Sequence, residues 1–266
     1  MPSGSIPQQR IVQKLDEYMS HRDYAAVERH LRYWLEEALA IGDKRGELMV
    51  RNEFVGHFRK VGDKQQALLH ADEALRLVDE LGFGETISAG TTYTNVGTAC
   101  NAFGENDRSL ALFKKAAALY EASPHTDPRL LGGLYNNMAL ACVSLHRFDE
   151  ADGLYAQALE TMGHVENGEL EQAITYLNMA DAAEARANAE SGDGPDAVLR
   201  DDYASCEQAV EECLDTALEL LDTPTVPRDG YYAFVCEKCA PVFAHYGYFL
   251  ADEDLRQRAE AIYERA

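Results

Sequence analysis

A chain of 266 residues with 24 basic against 46 acidic side chains carries a formal charge of −22, spread along its length rather than gathered into a tail. Phosphate binding needs a basic stripe, so this balance excludes a nucleic-acid partner and favours a neutral or basic peptide. The opening MPSGSIPQQR has no apolar leader, and no run approaches the roughly 18 apolar residues of a membrane span, so a cytoplasmic protein with no membrane contact is expected.

Residues 1–6 are expected to be a disordered N-terminus, and helical repeat units follow. The first, 7–42, carries Leu15, Tyr18, Val27, Leu31 and Trp34, and the second, 44–81, carries Phe54, Phe58, Ala67, Ala71 and Ala74. The third and fourth, 86–123 and 128–163, superpose on a shift of 42 residues, which takes Tyr93 to Tyr135, Asn95 to Asn137, Cys100 to Cys142 and Ala116 to Ala158. Each unit holds two apolar patterns of helical period joined by a short polar turn such as VGDK (61–64) or FGEN (103–106).

The first helix of a unit reads large, apolar-small, apolar, as in Tyr93, Val96-Gly97 and Cys100, where the small residue lets the second helix approach closely. The fifth unit, 168–223, opens on Tyr176, Met179, Ala180 and Ala183. It is interrupted by SGDGPDAVLRDD (191–202), a loop read as tolerated decoration. The sixth, 229–266, is assigned Phe243, Tyr246, Gly247 and Leu250 on its first helix and Ala259, Tyr263 and Ala266 on its second. Ile262, Tyr263 and Ala266 would then face nothing, so either the chain continues or a homo-oligomer partner covers the C-terminal unit.

This pattern resembles the tetratricopeptide repeat family over nearly the whole chain. The 42-residue unit exceeds the family's usual 34, and with TDPRLLGGLYNNMALACVSLHRFDEADGLYAQALE (126–160) it looks most like the long-repeat branch typified by kinesin light chains. The resemblance implies an all-α fold, a right-handed superhelical solenoid of antiparallel helix pairs in six units, forming one domain over 7–266. It also implies that the first helix of each unit lines a concave groove.

On that fold Asn95, Asn137 and Asn178, each two residues beyond its tyrosine, form a column on the groove. A carboxamide offers a donor and an acceptor, as a peptide group requires. In related peptide-binding repeats such asparagines hold the ligand backbone, and the resemblance carries that role onto these three. Thr91, Thr94, Thr98, Asn101 and Asn136 are expected on the same wall, with Arg59 and Lys60 toward one end and Asp181 and Glu184 toward the other. Met49, Leu140, Val143 and Tyr248 are the apolar anchors. The competing reading is that the amides bond across to the adjacent helix and fix the repeat geometry.

The middle of this wall is neutral and polar, with no lysine among its asparagines, which departs from the carboxylate-clamp members of the family and disfavours a chaperone-tail receptor. A peptide-pheromone receptor is a variant of the peptide reading, because some bacterial regulators of this kind grip signal peptides by asparagines.

No phosphate loop, nucleophile elbow, paired zinc histidines or calcium loop is present, so neither catalysis nor a cofactor is expected. Cys236-Glu-Lys-Cys239 puts two thiols one helical turn apart; buried structural cysteines are the favoured reading, and a metal or redox role the minor one. His57, His146 and His245 are read as surface or satisfied residues. The sequence therefore describes a non-catalytic interaction module that binds a peptide segment of a partner, with a self-associating scaffold as the alternative.

Overall fold

The computed structural model describes residues 4–191 and 201–265; the interrupting segment 192–200 and Ala266 lie outside them. The chain is all α, with twelve helices and no strand among the described residues. It divides into two compact bodies, Met1–Thr126 and Asp127–Ala266, each containing three helix pairs.

The first body holds α1 (Gln8–Ser20), α2 (Tyr24–Ile41), α3 (Lys44–Val61), α4 (Lys64–Glu80), α5 (Ile87–Ala102) and α6 (Asn106–Ala122). The turns are written in short sequence. Gly42 and Gly62 end α2 and α3 in the left-handed region at φ +72° and +79°, which costs a residue without Cβ nothing. The aspartate after each glycine caps the next helix, Asp43 accepting from Gly46 N–H and Asp63 from Gln66 N–H, both at 3.0 Å. α2 packs on α3, α3 and α4 both pack on α5, and so the first helices of successive pairs stand side by side.

Close approach within a pair rests on the small residues the sequence pattern singled out. A Cβ on Gly97 would fall 2.6 Å from the Phe113 ring of α6, and one on Gly90 would fall 2.4 Å from Tyr120. The buried Ser109 hydroxyl donates to the Gly97 carbonyl at 2.8 Å across the same crossing. Ile6, expected within a disordered N-terminus, is instead buried against Ile11, Leu31 and Val50. Its N–H donates to Asp43 Oδ2 at 2.9 Å, so the helix-capping carboxylate also ties down the strand of chain before α1.

The second body holds α7 (Pro128–Ser144), α8 (Phe148–Gly163), α9 (Glu169–Ser191), α10 (Asp201–Leu221), α11 (Gly230–His245) and α12 (Phe249–Tyr263). Asp127 caps α7 through Arg129 N–H with Pro128 in the first turn, the position where a missing N–H does no harm. α7 and α8 pack on α9, and α9 packs on α11.

The sixth repeat corrects the sequence register. Tyr246 caps the C-terminus of α11, Gly247 forms the turn at φ +84°, and Leu250 stands in the first turn of α12 at 83% exposure. The buried first-helix set is Cys236, Cys239, Ala240 and Phe243, seven residues earlier than expected. A small apolar thiol fills the slot that tyrosine takes in the third, fourth and fifth repeats, so a register keyed on aromatics slid by two turns. Ile262 and Tyr263, expected to face nothing, are half-buried against the core of this body.

Candidate functional site

In the first body the wall made by α1, α3 and α5 contains a cavity of about 500 Å³, bordered by Met49, Asn52, Glu53, Phe83, Thr91 and Asn95. Two of the expected contact residues, Thr91 and Asn95, and one anchor, Met49, thus come together. Asn95 Nδ2 donates to Asn52 Oδ1 at 3.4 Å. Asn52 Nδ2 in turn donates to Thr92 Oγ1 at 3.1 Å and to the Leu48 carbonyl at 3.0 Å. One amide hydrogen of Asn95 is spent on the neighbouring helix, while its Oδ1 accepts nothing among the described residues.

The threonines behave alike. Thr91, Thr94 and Thr98 each turn their hydroxyl hydrogen back onto the carbonyl four residues earlier, at 3.3, 2.9 and 2.8 Å. Thr91 Oγ1 also accepts from the Tyr120 hydroxyl at 3.3 Å, whereas the Thr94 and Thr98 oxygens keep lone pairs and lose their donors, so this stretch of α5 presents acceptors. Asn101, half-buried near the end of α5, has a buried Oδ1 without a partner among the described residues. Arg59 is exposed in the last turn of α3 and does not border the cavity.

Counting two residues beyond the consensus slot gives Glu53 in the second repeat, where Arg51 stands in place of tyrosine. Glu53 is half-buried, forms no ion pair among the described residues, and has its carboxyl pushed above the usual carboxylate range by burial and then by Asp16. Sequence reasoning missed Asn52 and Glu53 because it keyed on tyrosine. The signal was available, since Asn52 precedes Asn136 by two repeat lengths.

In the second body the same position is held by Asn137 on α7, Asn178 on α9 and, in the corrected register, Lys238 on α11. Asn178 Nδ2 donates to Asn136 Oδ1 at 3.1 Å, repeating the Asn95–Asn52 bridge. Asn137 is half-buried and its side chain has no hydrogen-bond partner among the described residues. Leu140 and Val143 follow it, half-buried, on α7.

Asp181 is engaged by its own chain. Its Oδ1 accepts from the Tyr246 hydroxyl at 3.0 Å, and burial followed by Glu184 raises its carboxyl against the opposing pull of that bond and of His245. Tyr248, expected as a groove anchor, instead borders a cavity of about 350 Å³ with Glu184 of α9 and Glu207, Val210 and Glu211 of α10.

Cys236 and Cys239 are buried, and burial pushes both thiols up, Cys239 to about 12, so neither supplies a thiolate at neutral pH. Among the described residues no group of three His, Cys, Asp or Glu side chains comes together to hold a metal ion. His57 departs from its sequence reading: it is buried, with both ring nitrogens unbonded among the described residues and Glu28 3.8 Å away. No helix among the described residues is long and apolar enough to cross a membrane.

The sequence matches no protein-family model and no curated relative. Solved structures do match. BtubC (BKLC) from P. vanneervenii is 17% identical over 91% of this chain and 90% of its own, with a TM-score of 0.51. The nearly identical TPR-like repeats of a candidate kinesin light chain from Podosopora anserina are 13% identical over 81% of this chain and 94% of their own, with a TM-score of 0.50.

The fold is that of tetratricopeptide-like helical repeats. A Rap protein complexed with competence and sporulation factor shares it at 10% identity, over 95% of this chain and 73% of its own, with a TM-score of 0.52. Identities this low establish the fold of the tetratricopeptide-like chain and leave its ligand to be argued from its own residues.

Proposed function

We propose that this helical-repeat protein is a non-catalytic interaction module that holds a peptide segment of a partner protein along its first-helix walls. The observation that carries the reading is the wall of α5 beside the 500 Å³ cavity, where Asn95 Oδ1 and the Thr94 and Thr98 oxygens accept from no donor among the described residues. A peptide backbone supplies N–H groups at regular intervals, and a basic side chain supplies more beside Glu53. The Rap structure supports the coarser point, since a repeat array of this fold there carries a bound factor.

Hydrogen bonds alone are insufficient, because each nets about 0.5–1.5 kcal/mol against the roughly 8 kcal/mol of micromolar affinity. Apolar contacts at Met49 and Phe83 in the first body, and at Leu140 and Val143 in the second, supply the remainder. Six free cysteines, four of them buried, suit a reducing compartment, which supports the cytoplasm as the place of action.

The test is selection of random displayed peptides on immobilised protein, followed by affinity measurement on Asn137→Ala and Thr94→Val variants with unchanged melting. Enriched peptides that lose affinity for the variants support the groove. Equal affinity throughout, or no enrichment, overturns it.

A further inference from the structure

The second body carries another cavity, far in character from the acidic surface around it. It measures about 380 Å³ and is bordered by Arg228, Arg258, Arg265, Tyr232, Asp222 and Ile262, so three of its four charged side chains are arginines in a chain of net charge −22. Arg258 is accounted for structurally: it pairs with Asp222 and Asp254, each at 2.5 Å, and donates to the Tyr232 hydroxyl at 3.0 Å. Arg228 and Arg265 are not. Arg228 is held with its guanidinium 4.1 Å from the centre of the Tyr232 ring and one Nη1 bond of 2.6 Å to the Leu221 carbonyl, which leaves donors free. Neither Arg228 nor Arg265 has a carboxylate partner among the described residues.

We infer that this cavity is a binding site for an oxyanion, a phosphate or carboxylate group, independent of the first-helix walls. A guanidinium fork matches the geometry of such a group, and Arg228 is already fixed by stacking and its carbonyl bond, so little side-chain freedom is lost on binding. The acidic surface elsewhere does not forbid it. At physiological ionic strength charges beyond about 8 Å are largely screened, and the local sum over the three arginines and the two aspartates on Arg258 is positive. Ala261 and Ile262 line the apolar side, where the carbon skeleton attached to the anion would rest.

The experiment follows arginine Nε–Hε resonances of the whole chain during titration with sodium phosphate and, separately, sodium succinate at constant ionic strength. The expected result is a common saturable curve for Arg228 and Arg265, weakened about tenfold or more in Arg265→Ala, whose side chain is exposed and supports no other contact. Arg228→Lys keeps the charge and loses the fork, so it weakens binding as well. Saturation by phosphate alone assigns a phosphate ester, and saturation by succinate as well assigns oxyanions in general. Linear, unsaturated shifts shared by all arginines, or a wild-type curve in Arg265→Ala, overturn the site.

Discussion

Asn178 and Asn136, 42 residues apart, are joined by a 3.1 Å hydrogen bond between the first helices of adjacent repeats, and Asn95 and Asn52 repeat the bond in the other body. The bridging asparagine therefore donates first to the repeat before it, and its carbonyl oxygen and second amide hydrogen are left for a ligand. In the pair Asn136-Asn137 the two roles are divided. Asn136→Ala removes an acceptor and strands Asn178, costing about 1 kcal/mol, a fall in melting temperature of about 2–4 °C. Asn137→Ala leaves melting within about 1 °C and weakens peptide binding. Thermal circular dichroism on the two single variants separates them, and equal melting losses would contradict the division.

Glycine substitutions have opposite signs at two helix interiors. Gly97→Ala places a methyl 2.6 Å from Phe113, a fully buried ring with no room to retreat, and the overpacking cost of about 1–3 kcal/mol outweighs the helix-propensity gain of about 1 kcal/mol. Gly56→Ala in α3 meets nothing within 4 Å, so the propensity gain stands alone and the variant is stabilised. Denaturant midpoints of the two variants, measured against wild type, check both signs.

These positions show how much the sequence made legible. Gly97, Phe113 and Ser109 sit on a pattern dictated by helix crossing, and such patterns repeat because every crossing has the same geometry. The fold and the closest-packed residues could therefore be read. Glu53, Asn52 and Lys238 were missed, because each lies in a repeat whose consensus tyrosine is replaced, by Arg51 or by Cys236, and the reading used that ring as its ruler. The bridging role of the asparagines stood in the sequence only as the competing reading, since one amide serves a neighbouring helix or a ligand with the same spacing. The oxyanion cavity depends on side chains from the 222–229 connection, α11, α12 and the residue Arg265 beyond it, which no periodicity connects.

Thiol reactivity follows burial. Cys206 and Cys213 are half-exposed, whereas Cys100, Cys142, Cys236 and Cys239 are buried. Burial pushes Cys100 to about 11 and Cys239 to about 12. Alkylation of the folded protein at neutral pH should label Cys206 and Cys213 first and spare the CxxC pair until denaturant is added. Mass spectrometry that finds Cys236 or Cys239 modified under native conditions would restore a redox role for that motif.

Acid sensitivity should arise in the first body, at His70. Its ring stacks on Phe54 at 4.2 Å, and Arg51 Nη1 lies 3.3 Å from its Nδ1. Burial and then Arg51 lower its pKa from 6.5 to about 4. The unfolded chain takes up the proton first, so stability is undiminished above pH 6.5 and is lost as the pH falls toward 4. By pH 5 the loss is about 2 kcal/mol for this group alone. His30 and His57, also lowered chiefly by burial, act in the same direction. Glu53 and Asp181 are raised and act oppositely, so the difference between wild type and a His70 variant, and not the wild-type slope alone, isolates the histidine. Urea unfolding from about pH 6.5 to about 5 should show midpoints falling with pH in wild type and a flatter profile in His70→Phe. A slope unchanged by that substitution would place the titrating group elsewhere.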